Sequence, residues 1–392
     1  MKNRIVILFI IALFIVYFPT NYVTANAEGN EYPEQNTESV TDELIDKLEI
    51  ESLDAYLTEL ISPFAESGGA VGFIKSCLNG KAADYKTVTE YIFSLLFAGI
   101  KEQLPTFISL FALIVFLSLL KLIAPDGNND VCELGNFAIY TVIICIITGV
   151  VYGTISKAEA VLDKISGVTE AVYPILMTLT IACGAENAAT SVTPAALFIS
   201  NTVISIVKNV FFPTVVFMLI ISVVSNLNRN IKLKNLSGFL ETFLKWGIGL
   251  FATVFSLFLG LNGINARALD GLGFKTAKYT VGSTIPLVGG IVGDGLNMII
   301  ASAAIIKNAL GTLAVVTVFS VVIIPIVEMI VLTFCLKLIS AVTEPFSDGR
   351  TGGFISGGIT VINYVVAALV IVAFMYIITF IAIIGCAEYI LY

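Results

Sequence analysis

Residues 276–311 read TAKYTVGSTIPLVGGIVGDGLNMIIASAAIIKNALG, which is two short apolar runs interrupted by glycines and by Pro286. Neither run crosses a bilayer comfortably, because a membrane-spanning helix needs about 20 apolar residues. In a chain of long apolar helices, interrupted segments of this kind line cavities or pathways more often than they serve as anchors. The sequence therefore predicts broken or re-entrant helices within 272–310, and a functional site is expected there.

The rest of the chain has the composition of a multi-span membrane protein. Of its 392 residues, 57% are hydrophobic and 13% are charged, and the mean hydropathy is +0.95. Soluble domains carry about 25% charged residues. The apolar stretches have helical length and lack the alternating pattern of outer-membrane strands. The predicted fold is an all-α, polytopic integral membrane protein.

The composition also excludes several functional classes. The chain has no histidine, which is the commonest general base and the usual imidazole ligand of catalytic zinc. Its six cysteines show no metal-ligand or redox-pair spacing. No basic surface with interleaved aromatic residues is present for nucleic acid. We therefore expect no catalytic residue, no metal, no cofactor and no nucleic-acid partner, so the chain is predicted not to be an enzyme.

The N-terminal sequence predicts export of the segment that follows it. A basic start precedes the apolar run 5–18, and Ala25 and Ala27 are small residues at the positions that a signal peptidase reads. Residues 1–27 are thus a predicted signal peptide, with an uncleaved anchor as the alternative. Residues 28–103 carry fifteen acidic residues and five lysines. They are predicted to be a short amphipathic extracytoplasmic region, whose last part, 85–100, is expected to lie in the membrane interface plane.

Residues 104–392 are predicted to form the transmembrane domain, with about six to eight membrane segments. The clearest segments are 104–124, 137–155, 244–261, 312–339 and 359–385, and the weaker ones are 168–184, 192–207 and 210–224. Residues 157–164 are interpreted as a polar connection. Lys208 and Asn209 leave open whether 192–224 is one helix with a charged middle or a helical hairpin.

The basic loop 228–234 constrains the topology. By the positive-inside rule it is cytoplasmic. From an extracytoplasmic start, four single crossings before Arg229 would place it outside. We therefore expect one segment within 168–226 to be re-entrant or doubled, with the C-terminus on the outside.

Asp294 is the first candidate site residue. It follows Gly289, Gly290 and Gly293 in irregular sequence, and a carboxylate at membrane depth normally has a partner or a water-filled cavity. It is interpreted either as a pathway-lining acid or as the N-cap of a helix that starts at Leu296. The small residues around it also allow close helix packing without any ligand.

Glu328 is the second candidate. It lies in the middle of a predicted span, three residues after Pro325, where a proline removes a backbone hydrogen bond. It is interpreted either as a proton-relay or carrier acid, or as the partner of a cationic or polar group on a facing helix, such as Lys307 or Lys208.

The region 262–311, with GLGFKTAKYTVGSTIPLVGG at 271–290 and GDGLNMIIASAAIIKNALG at 293–311, resembles the stage III sporulation protein AE family. The loop TEPFSD at 343–348 is also similar. The resemblance covers nearly the whole chain and is most specific between about 195 and 385. The family has no catalytic motif, so the resemblance assigns no active-site residue.

The resemblance implies a component of the channel that endospore-forming bacteria assemble between mother cell and forespore. It places the chain in the mother-cell membrane facing the forespore, in a homo- or hetero-oligomer. The expected partners are the other stage III A sporulation proteins, membrane lipid and, through the complex, a forespore-membrane protein. The resemblance further implies that sporulation needs the protein after engulfment begins.

A stand-alone secondary transporter or permease is the alternative function. It would use Asp294 and Glu328 as coupling acids, and it predicts an inverted repeat with broken segments in both halves. Residues 192–224 are the only counterpart of 277–310 that the sequence offers, and the two segments show no residue-level repeat.

Overall fold

The computed structural model of the chain is a bundle of long helices, and the residues that it describes contain no strand. The structure describes residues 85–123, 130–186, 189–190, 193–227, 233, 235–257, 289–343 and 350–385. The predicted signal peptide, the acidic segment up to residue 84 and Pro286 lie outside these residues.

Seven α-helices make up the described part of the chain. They are α1 (Tyr85–Ile123), α2 (Asp130–Ala182), α3 (Thr193–Ile206), α4 (Phe212–Leu227), α5 (Asn235–Leu257), α6 (Gly289–Thr343) and α7 (Arg350–Ile384). Six apolar segments in them are long enough to cross a membrane: 99–117, 137–182, 194–226, 235–257, 300–342 and 351–384. The prediction of an all-α protein with several membrane-spanning helices is confirmed.

Helix α1 joins two segments that the sequence separates. The amphipathic run 85–100 continues into the first apolar span without a break, and Pro105 lies inside the helix. A proline removes one backbone hydrogen bond but leaves the rest of the ladder. Residues 85–100 are therefore part of the same helix as the first apolar span, and their position in the interface plane stays a prediction.

Helix α2 also joins predicted segments. Buried residues recur every three or four positions, from Val151 and Ile155 through Ala158 and Leu162 to Ile165, which is the spacing of one helix face. Since this face continues through 157–164, the helix does too. The predicted polar connection is thus a stretch of helix, and 168–182 is the end of α2.

Helices α3 and α4 are joined by a five-residue π turn, Val207–Phe211. The backbone stays helical on both sides, and the N–H of Phe212 donates to the carbonyl of Val207. Of the two alternatives for 192–224, one helix with a charged middle is the observed one.

Three long helical segments therefore precede the basic loop at 228–234, namely α1, α2 and α3–α4. Within 168–226, residues 168–182 belong to α2 and residues 193–226 to the continuous segment α3–α4. The count that appeared to conflict with the positive-inside rule came from dividing α2 into two segments.

Helix α6 contains the described half of the predicted broken region. It runs for 55 residues from Gly289, so 289–310 and the span 312–339 form one continuous helix. The break predicted in this half is absent. Residues 272–288 lie outside the described residues.

The helices pack around α6 and α7. These two contact each other most extensively, and α2 contacts both. Both α6 and α7 are largely enclosed, and in α7 Phe354, Leu369 and Tyr376 are fully buried. Some helix crossings leave no room for a side chain in place of a glycine. A Cβ on Gly247 of α5 would lie 2.6 Å from the Phe211 ring. That glycine allows α5 to approach the π turn closely.

We call the two ends of the bundle the near end and the far end. At the near end, Tyr140 of α2 donates to the carbonyl of Asn226 in α4 at 3.5 Å, and Gly353 of α7 adjoins the same asparagine. At the far end, the Cys183 thiol donates to the carbonyl of Ile300 in α6 at 3.9 Å. Helix α2 therefore runs from the near end to the far end, and α3–α4 returns antiparallel to it.

Candidate functional site

Glu328 lies in an ion-pair cluster that joins three helices. Lys157 of α2 places its Nζ 2.7 Å from Oε2 of Glu328 in α6 and 3.0 Å from Oε1 of Glu102 in α1. The side chains of Lys157 and Glu102 are 50% and 52% exposed, and that of Glu328 is 21% exposed. One ammonium group thus neutralises part of the charge of two carboxylates.

Close packing of α1 on α6 brings these groups together. A Cβ on Gly99 would lie 3.8 Å from the Cα of Glu328 and 3.7 Å from a methyl group of Val331. Glu102 follows Gly99 by one helical turn, which places it on the same side of α1. The small residue therefore sets the separation at which Glu102 reaches the shared lysine.

A second ion pair joins α2 to the π turn. Lys208 Nζ lies 2.5 Å from Oδ1 of Asp163. A π turn uses five residues per hydrogen-bonded step and occurs often at functional positions. In this turn, Val207 and Phe211 are buried. The Lys208 side chain extends to the half of α2 that contains the charged residues of that helix.

The partner predicted for Glu328 is wrong, although its pairing with a cation is observed. Lys208 pairs with Asp163, and Lys307 lies on the same helix as Glu328. The cation that pairs with Glu328 is Lys157, which lies in the predicted polar connection 157–164. A charged residue between two apolar stretches was taken for a loop, whereas the buried stripe through 151–165 marks a continuous helix.

Lys307 is buried at the far end. Its side chain is 1% exposed, and its Nζ donates to the carbonyl of Ile384, the last residue of α7, at 2.9 Å. The last carbonyls of a helix have no partner within that helix and carry partial negative charge. Lys307 therefore caps α7 from α6. A Cβ on Gly311 would lie 2.5 Å from the Ile384 side chain, so the two helices touch here.

Asp294 lies inside the described helix. Since α6 begins by Gly289, Asp294 is in its second turn, and the predicted N-cap of a helix starting at Leu296 is wrong. Gly289, Gly290 and Gly293 belong to the same first turns.

The small residues after this segment support helix packing. Ala301, Ser302, Ala303 and Ala304 are all buried, and the Ile300 carbonyl before them accepts from the Cys183 thiol of α2. Short side chains let two helices approach closely. The described part of the region 272–310 is therefore a helix contact.

These groups act mainly as electrostatic and hydrogen-bonding links between helices. In the part of the chain that the structure describes, no three histidine, cysteine or acidic side chains are grouped as metal ligands. The described links join α1, α2 and α6 through Lys157, and α2 and the π turn through Lys208.

Comparison with known proteins gives one consistent result. The family model described as stage III sporulation protein AE matches residues 71–387. The stage III sporulation protein AE of Bacillus subtilis (strain 168) is 24% identical over 358 residues, which cover 90% of this chain and 89% of that protein. No solved structure matches the chain.

Proposed function

Because the chain belongs to the stage III sporulation protein AE family, a family of sporulation proteins, we propose that it is a membrane subunit of the channel between mother cell and forespore. The proposed role is non-enzymatic, and sporulation needs it after engulfment begins. The family match over 71–387 carries the proposal. The helical bundle supports it, since its six long apolar segments suit a multi-span membrane protein.

The proposed partners are the other stage III A sporulation proteins and, through the complex, a protein of the forespore membrane. Within the complex, the chain forms a homo- or hetero-oligomer. Long helices tied by interhelical ion pairs support a rigid scaffold for such contacts, because each pair fixes the relative position of two helices.

The proposed orientation places the N-terminal region outside the cytoplasm of the mother cell. Three helical segments, α1, α2 and α3–α4, precede the loop 228–234. From an extracytoplasmic start, three crossings place this loop in the cytoplasm. Its positive charge supports that side, because cytoplasmic loops carry an excess of lysine and arginine.

Deletion of the coding sequence in the endospore-forming host tests the role. Heat-resistant spores should be lost, and development should arrest after engulfment has begun. A tagged copy that restores spores should co-purify with the other stage III A proteins from detergent-solubilised membranes. A clean deletion that forms normal spores would refute the role.

Two point variants connect this test to the structure. Lys157→Glu places a third carboxylate in the cluster with Glu102 and Glu328, so we expect it to fail to restore spores to the deletion strain. Lys164→Glu changes the same charge on the same helix at an exposed position, and it should restore them. Equal spore counts for both variants, with equal protein levels, would show that the cluster is not needed for the role.

A further inference from the structure

The long helices exceed the thickness of one bilayer. The apolar segments in α2 and α6 have 46 and 43 residues, which corresponds to about 69 Å and about 65 Å at 1.5 Å per residue. The hydrocarbon layer is about 30 Å thick. Containing either segment would require a tilt above about 60°, whereas membrane helices tilt by up to about 40°. Part of each helix must therefore lie outside the hydrocarbon.

Three ion pairs mark a level across the bundle, which we call the charge belt: Glu102, Lys157, Asp163, Lys208 and Glu328. The pairs join α1, α2, the π turn and α6 side by side. Along α2, Lys157 and Asp163 are six residues apart, about 9 Å. That spread is close to the thickness of one headgroup layer, about 5–8 Å.

The belt lies one hydrocarbon thickness from the near end. Glu102 to Lys121 in α1 is nineteen residues, Lys157 to Phe137 in α2 is twenty, and Lys208 to Leu227 is nineteen. These lengths correspond to about 28–30 Å, and no charged residue lies within any of the three stretches. In α6, the stretch from Glu328 to the end of the helix at Thr343 is shorter, about 22 Å.

Exposed aromatic residues lie just on the near side of the belt. Tyr152 is 63% exposed and precedes Lys157 by five residues. Trp246 is 75% exposed and adjoins Gly247, which packs on Phe211, three residues from Lys208. Tryptophan and tyrosine concentrate where the hydrocarbon meets the headgroups.

Side-chain exposure changes at the belt. On the near side, α2, α4 and α6 expose large apolar side chains: Leu134, Phe137, Val142, Val210, Phe217, Ile220, Ile330, Phe334, Leu338 and Val342. On the far side, the described side chains of the same helices and of α3 expose four, Ile181, Phe198, Ile305 and Ile324, and those of α1 and α5 expose Phe97, Ile100, Val254 and Leu257. The exposed far-side positions on α2 and α3 include Lys164, Glu170, Asn201, Thr202 and Ser205. A lipid-facing surface is apolar, and a water-facing surface is mixed.

Charged residues also lie on the near side of the belt, in α5 and in α6. Lys337 of α6 is exposed and precedes the end of the helix at Thr343 by six residues, so its long side chain can extend to the headgroups at the near end. Glu241 and Lys245 of α5 are 3.3 Å apart, one helical turn from each other, and they lie within two turns of Gly247. Acids and lysines at membrane depth normally occur as such pairs, so this pair is compatible with a lipid environment.

We infer that the bilayer encloses only the near half of the bundle, with the charge belt at the headgroups, and that the far half projects into water. Helices α2, α3, α6 and α7, with residues 85–101 of α1, form the projection, which extends roughly 35 Å beyond the belt along α2 at 1.5 Å per residue. With the orientation proposed above, it points out of the mother-cell cytoplasm. The inference itself depends on the bundle and not on the sporulation role.

Two phenylalanines on one helix provide a matched test. Phe198 and Phe217 are both exposed on α3–α4, and they lie about 15 Å and about 14 Å from Lys208 in opposite directions. Trp246 is the single tryptophan of the chain. Full-length Trp246→Phe protein carrying either Phe198→Trp or Phe217→Trp is reconstituted in phosphatidylcholine vesicles with brominated acyl chains. The Phe217→Trp emission should be largely quenched, whereas the Phe198→Trp emission should keep its intensity and lie at longer wavelength.

Equal quenching of the two tryptophans by brominated lipid would overturn the inference, as would quenching of Phe198→Trp alone. A second measurement tests the inference if one of the tryptophan variants fails to fold. In protein whose six native cysteines are replaced by alanine, Thr202→Cys should react with a membrane-impermeant maleimide in intact vesicles of matching orientation, and Val142→Cys should not. An unreactive Thr202→Cys that becomes reactive only in detergent would place the far half in the bilayer and contradict the projection.

Discussion

The coupling between Lys157 and Glu328 is the most direct energetic test of the bundle. We expect a double-mutant cycle with Lys157→Met and Glu328→Gln to give a coupling free energy of about 1 kcal/mol. Two unit charges 2.7 Å apart attract by about 1.5 kcal/mol in a medium with the dielectric constant of water. Ordering two long side chains offsets part of that attraction, which leaves a coupling near the upper end of the range of about 0.2–1 kcal/mol for ion pairs open to solvent.

The ion pair between Lys157 and Glu102 should have a smaller coupling free energy than the pair between Lys157 and Glu328. Lys157 and Glu102 are 3.0 Å apart, but both side chains are half exposed, and solvent screens such pairs to about 0.2–1 kcal/mol. A cycle with Glu102→Gln should therefore give about 0.3 kcal/mol. The ratio of the two couplings reports how much better Glu328 is shielded than Glu102.

The assay is reversible unfolding of the full chain in mixed micelles by increasing fractions of a denaturing detergent, followed by far-ultraviolet circular dichroism. Lys164→Met, at an exposed position of the same helix, is the control, and it should change the free energy of unfolding by less than about 0.5 kcal/mol. A Lys157–Glu328 coupling near zero, or a larger coupling for Glu102, would refute the reasoning.

Three further predictions concern helix contacts. Gly247→Ala should lower the free energy of unfolding by about 1–3 kcal/mol, since its new Cβ would lie 2.6 Å from the Phe211 ring. Gly249→Ala, with open space around it, should raise that free energy by about 0.5–1 kcal/mol, because alanine favours helix. Lys307→Met should cost about 1.5–3 kcal/mol, the range for a charged hydrogen bond. Tyr376→Phe, which removes the hydroxyl that donates to an asparagine of α3, should cost about 1 kcal/mol.

The same unfolding assay measures all of these variants, and each has an outcome that contradicts it. A Gly247→Ala protein as stable as Gly249→Ala would mean that α5 does not approach the π turn closely. For Lys307, the control is Lys337→Met at an exposed position near the end of α6; equal losses would exclude the cap. A Tyr376→Phe protein that matches the parent would show that water replaces the asparagine.

Sequence reasoning predicted the class of the fold because the class depends on composition and on the length of the apolar runs. It was wrong about the ends of helices. The stretch 157–164 was read as a connection from its charges, although its buried positions keep the period of one helix face. Likewise, glycines within 289–310 suggested a break, but α6 is continuous through them.

The sequence predicted that Glu328 would be paired with another group, but it did not predict which lysine pairs with it. A carboxylate at Glu328 was expected to have a cation, which follows from the cost of an unpaired charge in an apolar region. The choice of Lys157 depends on which helices are adjacent and on the register between them. Single-sequence patterns contain no such information, so neither this pairing nor the cap on α7 by Lys307 was predicted.

The π turn constrains the number of residues in the third helical segment, α3–α4. Successive α-helical residues are rotated by about 100° around the axis, and the turn accommodates one residue more than an α turn. Deleting Asn209 would restore an ordinary α turn and leave α4 in nearly the same orientation, because the π turn already takes up the extra residue. A deletion elsewhere in α3, or before Val215 in α4, would rotate the following residues by about 100° and carry Val215 and Leu219 out of the core. An alignment gap between 193 and 227 is therefore compatible with the core mainly at the π turn.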